Sequence, residues 1–347
     1  MKSATSVWAR LADLAGLVAT PLSPSHYLGL FRPLSAHALQ ARVERVAKET
    51  ADVTTLTLRP GRGWQGHVAG QHARIGLALD GRIATRTYSI SSSADRGDGC
   101  ITITVKAQGH VSNALACVTQ GSYVTLGPAE GGFVMPASGR HLFVSGGSGI
   151  TPLMAMLRTF AARNAMPDVV HVHYAPTADD VIFADELRAI AVSHPAYRLR
   201  IVLTSRDRRR FCREVLDEIA PDWPTRETWA CGPTSLLDAA TFTNALHVER
   251  FTAALAPAAP DASGGHVRFR SSRVSAISDG RTPLLRIAED AGVSAPHGCR
   301  MGICHTCDAT LTSGCVRDLR TGQRIDEPGA RVQICVCAAA GDVELAL

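Results

Sequence analysis

The stretch Cys299-Arg-Met-Gly-Ile-Cys304-His-Thr-Cys307 decides how the C-terminal part of this 347-residue chain folds. Its three cysteines surround a glycine, which lets the backbone turn sharply. Six of the ten cysteines fall within the last fifty residues, at positions 299, 304, 307, 315, 335 and 337. Such clustering is typical of metal or cluster ligation rather than of a disulfide framework. The sequence therefore predicts a metal-binding loop near the C-terminus.

The spacing of these cysteines narrows the kind of metal site. The pattern C-x4-C-x2-C with a distant fourth cysteine is that of plant-type 2Fe-2S ligation. Small loop residues allow backbone amides to approach the sulfurs and tune the reduction potential. Zinc bound by the pairs Cys304/Cys307 and Cys335/Cys337 is the alternative, but it leaves Cys299 unexplained. The spacing alone permits either Cys335 or Cys337 as the fourth cluster ligand.

Composition and charge exclude other classes of protein. The net charge is only +5, and Lys and Arg are scattered, which argues against nucleic-acid binding. We find no run of about 18 apolar residues and no signal-peptide layout, so we expect a cytoplasmic protein.

Residues 1–40 form an N-terminal extension, in which Ser6 to Thr20 predict an amphipathic helix. We expect this helix to pack on the next domain; contact with a membrane or partner is the alternative.

After the extension, the spacing of apolar and turn residues divides the chain into domains. Residues 41–137 contain short β-runs separated by turn residues, which predicts an antiparallel β-barrel. In residues 138–250 apolar strands alternate with helical segments, which predicts an α/β domain with a parallel sheet. Residues 251–265 are rich in Ala and Pro and form a linker. Residues 266–347 form an α+β unit with a helix at Pro283–Ala291 and a closing strand at Asp342–Leu345.

Two runs in the first domain suit a flavin. In Arg86-Thr-Tyr88-Ser89 the arginine can fork onto a phosphate, and the tyrosine can lie on an isoalloxazine ring. The Ser89 hydroxyl can hydrogen-bond near flavin N5, although four such residues alone also fit an ordinary strand. The run Gly109-His-Val111-Ser112-Asn113 opens a helix-like segment, whose first amides form a seat for a pyrophosphate.

Two runs in the second domain suit a nicotinamide nucleotide. Gly146-Gly147-Ser148-Gly149-Ile-Thr151-Pro152 follows a strand and opens a helix, where glycines let the backbone reach a pyrophosphate. Ala230-Cys231-Gly232-Pro233 ends the last strand of the domain; a merely buried cysteine is the alternative interpretation. The basic run from Arg206 to Arg210 suits the 2′-phosphate of NADPH, or is a solvated loop.

In the order flavin, nicotinamide and iron–sulfur, these motifs resemble the ferredoxin–NADP reductase superfamily. Over about residues 41–347 the chain is similar to three-part reductases with a β-grasp-like ferredoxin domain. The resemblance implies FAD, or less commonly FMN, held by Arg86, Tyr88, Ser89, Val111, Ser112 and Asn113. For NADPH or NADH, the residues expected to bind are Gly147, Ser148, Gly149, Thr151, Arg206, Cys231, Gly232 and Pro233. It also implies that Ser89 and Cys231 flank the reacting rings.

The same resemblance assigns the cluster ligands and an electron acceptor. In these ferredoxin domains the last ligand lies seven residues before the aspartate of the closing strand, which implies Cys299, Cys304, Cys307 and Cys335. Ser23–Leu28 and Arg42–Val46 resemble actinobacterial-type reductases, several of which serve membrane fatty-acyl desaturases or hydroxylases. We therefore expect a cytoplasmic reductase with at most a peripheral contact at the inner face of the membrane.

Three questions stay open at this stage. The acceptor could instead be an aromatic-ring dioxygenase or a haem monooxygenase. A zinc-binding regulatory protein without electron transfer is a more remote alternative. The nucleotide is also open, because Ala175-Pro176 stands where many relatives place an arginine after the strand.

Overall fold

The computed structural model describes residues 40–79, 82–134, 138–251, 263–298, 300–302 and 305–347. The helix predicted at Ser6–Thr20 lies outside these residues, as do most of the linker, Cys299 and Cys304. Within the described part the chain forms three sheets, each with its own hydrophobic core. The helices that these residues form are too short or too polar to cross a membrane.

The first sheet is antiparallel and is completed by one short helix. Its elements are β1 (Gln40–Lys48), β2 (Val53–Pro60), β3 (His72–Leu79), β4 (Arg82–Ser89), β5 (Ile101–Lys106), α1 (His110–Ala116) and β6 (Tyr123–Glu130). The strand order is β4-β3-β6-β1-β2-β5, and a bridge from Ile90 to Ile103 joins the two edges. The predicted antiparallel barrel is therefore confirmed. Gln40 already pairs with Thr125, so the first strand begins within the range predicted for the extension.

The second sheet is parallel, as predicted. Its strands are β7 (Arg140–Gly146), β8 (Asp168–Ala175), β9 (Tyr197–Leu203), β10 (Glu227–Cys231) and β11 (Leu246–Glu249). Its helices are α2 (Ile150–Ala162), α3 (Ala184–Ser193), α4 (Thr204–Asp207), α5 (Arg213–Ile219) and α6 (Thr234–Ala239). The strand order β11-β10-β7-β8-β9 reverses its direction of growth at β7. Ligands of open parallel sheets bind at such a reversal, beside the carboxyl ends of the strands.

A buried ion pair fixes the opposite end of this sheet. Arg226 is fully buried and donates to Asp168 Oδ1 at 3.0 Å and to Asp222 Oδ2 at 2.8 Å. It also donates to the carbonyl oxygen of His141 on β7. The hydrogen bonds and charge of Arg226 lower the pKa of Asp222; burial opposes the same effect at Asp168, whose pKa is nevertheless lowered. Arg226 thus ties the starts of β7, β8 and β10 together.

The third sheet is mixed. Its elements are β12 (Gly265–Phe269), β13 (Val274–Ser278), α7 (Leu284–Asp290), β14 (Asp308–Asp318), β15 (Arg324–Ile325), β16 (Arg331–Gln333) and β17 (Cys337–Leu345). The strand order is β13-β12-β17-β14-β15, β16 pairs with β14, and only β12 and β17 run parallel among these described strands. The predicted α+β unit is confirmed. Gly265 belongs to β12, so the predicted linker extends one residue too far.

Candidate functional site

A cleft of 240 Å³ lies where the barrel meets the carboxyl end of β7, and it collects most residues predicted to bind a flavin. Its walls come from the end of β4, the segment joining β5 to α1, and the turn after β7. The predicted residues that line it are Arg86, Tyr88, Ser89, Val111, Ser112, Ser148 and Thr151. The fold therefore brings motifs from two domains to one cavity.

The polar groups of Tyr88 and Ser89 suit a flat ligand. Ser89 is buried, and its hydroxyl has no hydrogen-bond partner in the part of the chain that the structure describes. A buried polar group without a partner costs about 1–3 kcal/mol, so a ligand atom bonding to it would be stabilised. Burial raises the pKa of Tyr88 to about 12, which keeps its ring neutral. Both residues fit the ring system of a flavin.

Arg86 brings a positive charge to the lining of this cleft. Nη1 of Arg86 donates to the carbonyl oxygen of Thr85 at 2.7 Å, which fixes the side chain along β4. Burial lowers the pKa of Arg86, and the nearby guanidinium of Arg300, in the cysteine loop, lowers it further. Arg300 itself is paired with Glu289 on α7. Arg86 therefore supplies the guanidinium that lines this cleft, which fits the phosphate-binding role predicted for it.

The start of α1 is organised by Ser112. Its Oγ accepts hydrogen bonds from the amides of Gln108 at 3.0 Å and Gly109 at 2.9 Å. The same hydroxyl donates to the carbonyl oxygen of Gly109, so it shapes the turn as well as lining the cleft. Asn113 is exposed and is not among the residues that form this cavity.

The glycine-rich turn and the Cys-Gly-Pro run are in direct contact. A Cβ on Gly149 would lie 2.2 Å from the carbonyl oxygen of Cys231 and 2.6 Å from Cα of Gly232. A Cβ on Gly146 would lie 2.9 Å from Cδ of Pro233. Strands β7 and β10 are neighbours, which places their carboxyl ends side by side. Glycine is required here because two backbone segments meet with no space for a side chain.

A larger cleft of 640 Å³ continues from this contact across the carboxyl edge of the parallel sheet. Gly146, Gly147 and Pro233 line one end of it. Its basic lining residues are Lys106, Arg208, Arg209 and Arg210. Arg206, which was predicted to bind the nucleotide, lies exposed on α4 and is not among these lining residues. The basic run therefore lies at this cleft, but only Arg208, Arg209 and Arg210 line it.

Cys231 is buried, and burial raises the pKa of its thiol well above the usual value. Glu249 lies opposite it in register on β11, and its carboxylate also raises that pKa. Oε1 of Glu249 lies 3.1 Å from Nδ1 of His72 on the barrel. A neutral thiol and a carboxylate that lies within hydrogen-bond distance of a histidine therefore stand at the junction of the two domains.

Three residues at this junction were not predicted from the sequence. His72 and Glu249 share a cavity of 340 Å³ with Ser89, and Phe251 lines both this cavity and the flavin cleft. His72 begins β3 of the barrel, whereas Glu249 ends β11 and Phe251 follows it, close to where the domain was expected to end. Only the pairing of β11 with β10 brings this segment beside Cys231.

Two of the described cysteines of the third domain, Cys307 and Cys335, lie in contact. A hydrogen bond with the Cys335 thiol lowers the pKa of Cys307 to about 7. Burial raises the pKa of Cys337 to about 12, and this residue packs in the domain core at the start of β17. An iron–sulfur cluster requires several thiolate sulfurs close together, and the side chains of Cys307 and Cys335 can supply two of them. Cys307 and Cys335 therefore fit a cluster together with the two loop cysteines outside the described residues.

The cysteine loop faces the flavin cleft. Met301, between Cys299 and Cys304 in sequence, lines the 340 Å³ cavity together with Arg86 and Ser89. Arg300 acts electrostatically on Arg86, as described above. The loop that is predicted to hold the cluster therefore adjoins the residues that are predicted to hold the flavin.

Comparison with known proteins agrees with this arrangement. Family models match residues 40–134 as an oxidoreductase FAD-binding domain, 143–241 as an oxidoreductase NAD-binding domain, and 269–340 as a 2Fe-2S iron-sulfur cluster binding domain. FAD, a nicotinamide nucleotide and a 2Fe-2S cluster are therefore the cofactors, which leaves no role for the zinc alternative.

Relatives extend over nearly the whole chain. An NADPH oxidoreductase of Mycobacterium tuberculosis is 46% identical over 97% of this chain and 92% of its own length. A glycine betaine monooxygenase reductase subunit of Pseudomonas aeruginosa is 32% identical over 79% of this chain and 85% of its own. Phthalate dioxygenase reductase shares the fold, with a TM-score of 0.62 at 23% identity, covering 91% of this chain and 99% of that structure.

Proposed function

The chain belongs to the ferredoxin–NADP reductase superfamily with a C-terminal 2Fe-2S domain, and we propose that it carries electrons from NADPH to an oxygenase-type acceptor. NAD(P)H-dependent oxidoreductase chemistry follows from the family itself. The acceptor, the preference for NADPH and the role of each site residue are the parts that we propose.

The proposal rests on one observation: the residues predicted to bind the flavin, the nicotinamide and the iron–sulfur cluster lie next to one another. The flavin cleft shares Ser148 and Thr151 with the glycine-rich turn, and the adjoining cavity shares Arg86 and Ser89 with Met301 of the cysteine loop. Electron transfer needs donors and acceptors held close together, and positioning them is the contribution of the protein. A chain built for hydrolysis or binding alone would not need this convergence.

Some of the site residues bind the flavin, and others orient the nicotinamide. When bound, the flavin takes a hydride from the nicotinamide and the cluster then carries electrons one at a time. Arg86 binds flavin phosphate, Tyr88 supports the ring, and the Ser89 hydroxyl donates toward its reacting edge. The contact of Gly149 with Cys231 sets where the nicotinamide lies.

The preference for NADPH rests on charge in the larger cleft. Arg208, Arg209 and Arg210 line it, and Arg209 is already paired with Glu218 at 2.6 Å. Arg208 and Arg210 thus provide the positive charge that the 2′-phosphate of NADPH requires. The mycobacterial relative, an NADPH oxidoreductase, supports the same preference.

For the acceptor we propose a membrane-embedded fatty-acyl desaturase or hydroxylase, reached from the cytoplasmic side. The fused 2Fe-2S domain supports direct delivery, and the resemblance of the extension to desaturase-linked reductases supports this class. The second candidate is a soluble oxygenase, which the glycine betaine monooxygenase reductase subunit among the relatives favours.

Reconstitution separates the two candidates. The purified reductase and NADPH are combined either with acyl desaturases in lipid vesicles or with soluble oxygenases. Product formed per NADPH oxidised is measured in both cases. We expect tight coupling with a desaturase or hydroxylase. Tight coupling with a soluble oxygenase, and uncoupled oxidation with every membrane enzyme, would refute the desaturase assignment and leave the reductase assignment standing.

A further inference from the structure

Arg320 lies in the third domain, at the tip of the hairpin that joins β14 to β15, and it reaches back to the cysteine loop. Its Nη1 donates to the carbonyl oxygen of Gly302 at 2.7 Å. Its Nε and Nη2 donate to the two carboxylate oxygens of Asp318 at 3.1 and 2.6 Å. A bidentate pair of this kind fixes the plane of a guanidinium group. Arg320 therefore holds the loop backbone between Cys299 and Cys304.

Gly302 is adapted to this contact. Its φ is +70°, which glycine adopts without strain. A Cβ at this position would lie 2.4 Å from Nη1 of Arg320 and 2.9 Å from Cγ2 of Val336. The loop therefore lies directly on the arginine and on the residue that follows Cys335.

Arg320 also fixes a polar side chain beside Cys335. Its Nη2 donates to Oε1 of Gln333 at 3.0 Å, which determines which end of that amide faces the arginine. Nε2 of Gln333 is buried and has no hydrogen-bond partner among the residues described. A sulfur acceptor would satisfy such a donor, and N–H···S bonds are one means by which proteins tune iron–sulfur sites.

The charge of Arg320 acts on the same cysteines. The sulfurs of Cys335 and Cys337 lie near enough that, when ionised, they raise the pKa of Arg320, after the larger contribution of Asp318. A cation near a cluster favours the reduced state, which carries one more negative charge. Because 32% of the Arg320 side chain is exposed, solvent screens this effect in part.

On the basis of the 2Fe-2S cluster in the proposed function, we propose that Arg320 is a positioning residue for the cluster, which fixes its loop through Gly302 and raises its reduction potential. Replacing Arg320 leaves the Asp318 carboxylate uncompensated beside the cluster. The potential should then fall. Removing both charges should restore most of it, since arginine and carboxylate act in opposite directions.

The test uses the full-length holoenzyme with Arg320→Gln, Arg320→Lys and the double variant Arg320→Gln/Asp318→Asn. Arg324→Gln is the matched control, because it removes one exposed positive charge from the same hairpin. Midpoint potentials come from spectroelectrochemistry, and EPR of the reduced cluster reports its geometry. Reduction of wild-type flavin and cluster by NADPH is measured first, so that failure of the proposed function is recognised separately.

We expect Arg320→Gln to shift the reduction equilibrium of the cluster about tenfold toward the oxidised state, about 59 mV for one electron. Arg320→Lys should keep most of the potential but alter the EPR spectrum, and the double variant should lie between Arg320→Gln and wild type. In apo-protein, hydrogen exchange across residues 297–307 should be faster in Arg320→Gln than in Arg324→Gln. An unchanged potential with full iron content, or equal exchange in both variants, would overturn the proposal; loss of iron from Arg320→Gln but not from Arg320→Lys would support it.

Discussion

Replacement of Gly149 by alanine tests whether the contact between the two nucleotide-binding turns sets the reaction geometry. The backbone of Gly149 has φ of −63°, so alanine adopts it without strain. The new Cβ would nevertheless lie 2.2 Å from the Cys231 carbonyl oxygen, whereas real Cβ contacts do not fall below 3.0 Å. The two turns must therefore separate by about 0.8 Å. No side-chain rotation relieves this, because the opposing atoms belong to the backbone.

A displacement near 1 Å at a reacting centre costs up to about 100-fold in rate, so flavin reduction by NADPH should slow about 10- to 100-fold. Overpacking of this kind also costs about 1–3 kcal/mol in the free energy of unfolding. Anaerobic stopped-flow measures the first quantity, and urea denaturation measures the second. Flavin content should stay near that of the wild type, because Gly149 does not line the flavin cleft.

Two alanine variants control this experiment. Gly147→Ala lies in the same turn and meets no atom within 4 Å, but its φ is +53°, so it tests backbone strain without the clash. Gly97→Ala lies between β4 and β5, has open space and no unusual φ, and should behave as wild type. If Gly149→Ala reduces its flavin as fast as Gly97→Ala, the contact does not position the nicotinamide and the reasoning fails.

Three further predictions follow from the sites and the sheet. Cys335→Ser should lose or shift the visible absorption of the cluster, whereas Cys337→Ser should leave it nearly intact; the reverse result would make Cys337 the fourth ligand. Arg210→Ala should raise the KM for NADPH several-fold and leave the KM for NADH little changed. A larger effect of Arg206→Ala on the KM for NADPH would instead indicate that the 2′-phosphate binds at α4. Arg226→Gln should lose about 2 kcal/mol at pH 7 in urea denaturation, less than for a fully buried pair, since its aspartates are partly exposed. Folding lowers the pKa values of those aspartates, so the wild type loses this stabilisation as the pH falls below about 4. The free energy of unfolding of the variant should therefore fall less steeply with acid than that of the wild type. Parallel plots of the free energy of unfolding against pH would contradict this.

The sheets could be predicted because their signals are local. Alternating apolar residues and Gly or Pro between them define β2, β3, β5 and β6, and strand–helix alternation defines the parallel sheet. The third domain followed from the cysteine spacing. Helix α7 begins one residue later than predicted, because Pro283 occupies the position that precedes its first turn.

The parts of the site that could not be predicted depend on tertiary contacts. Arg208 follows the last residue of α4 and has a φ of +47°, so the chain turns there. This turn helps to explain why Arg210 lines the 640 Å³ cleft whereas Arg206 does not. Glu249 approaches Cys231 only through the pairing of β11. Arg320 lies 18 residues beyond Gly302 in sequence, and no spacing rule connects an arginine in a hairpin tip with a cysteine loop.

The position of β17 has a consequence for biosynthesis. Among the described strands this one comes last in sequence, yet it lies between β12 and β14 in the sheet of the third domain. The barrel and the parallel sheet contain only strands synthesised earlier and can fold while translation continues. The third sheet cannot close until residues 337–345 have left the ribosome. A chain ending before residue 337 would therefore keep every described strand of the barrel and of the parallel sheet, but it would lack the strand that joins β12 to β14 in the 2Fe-2S domain.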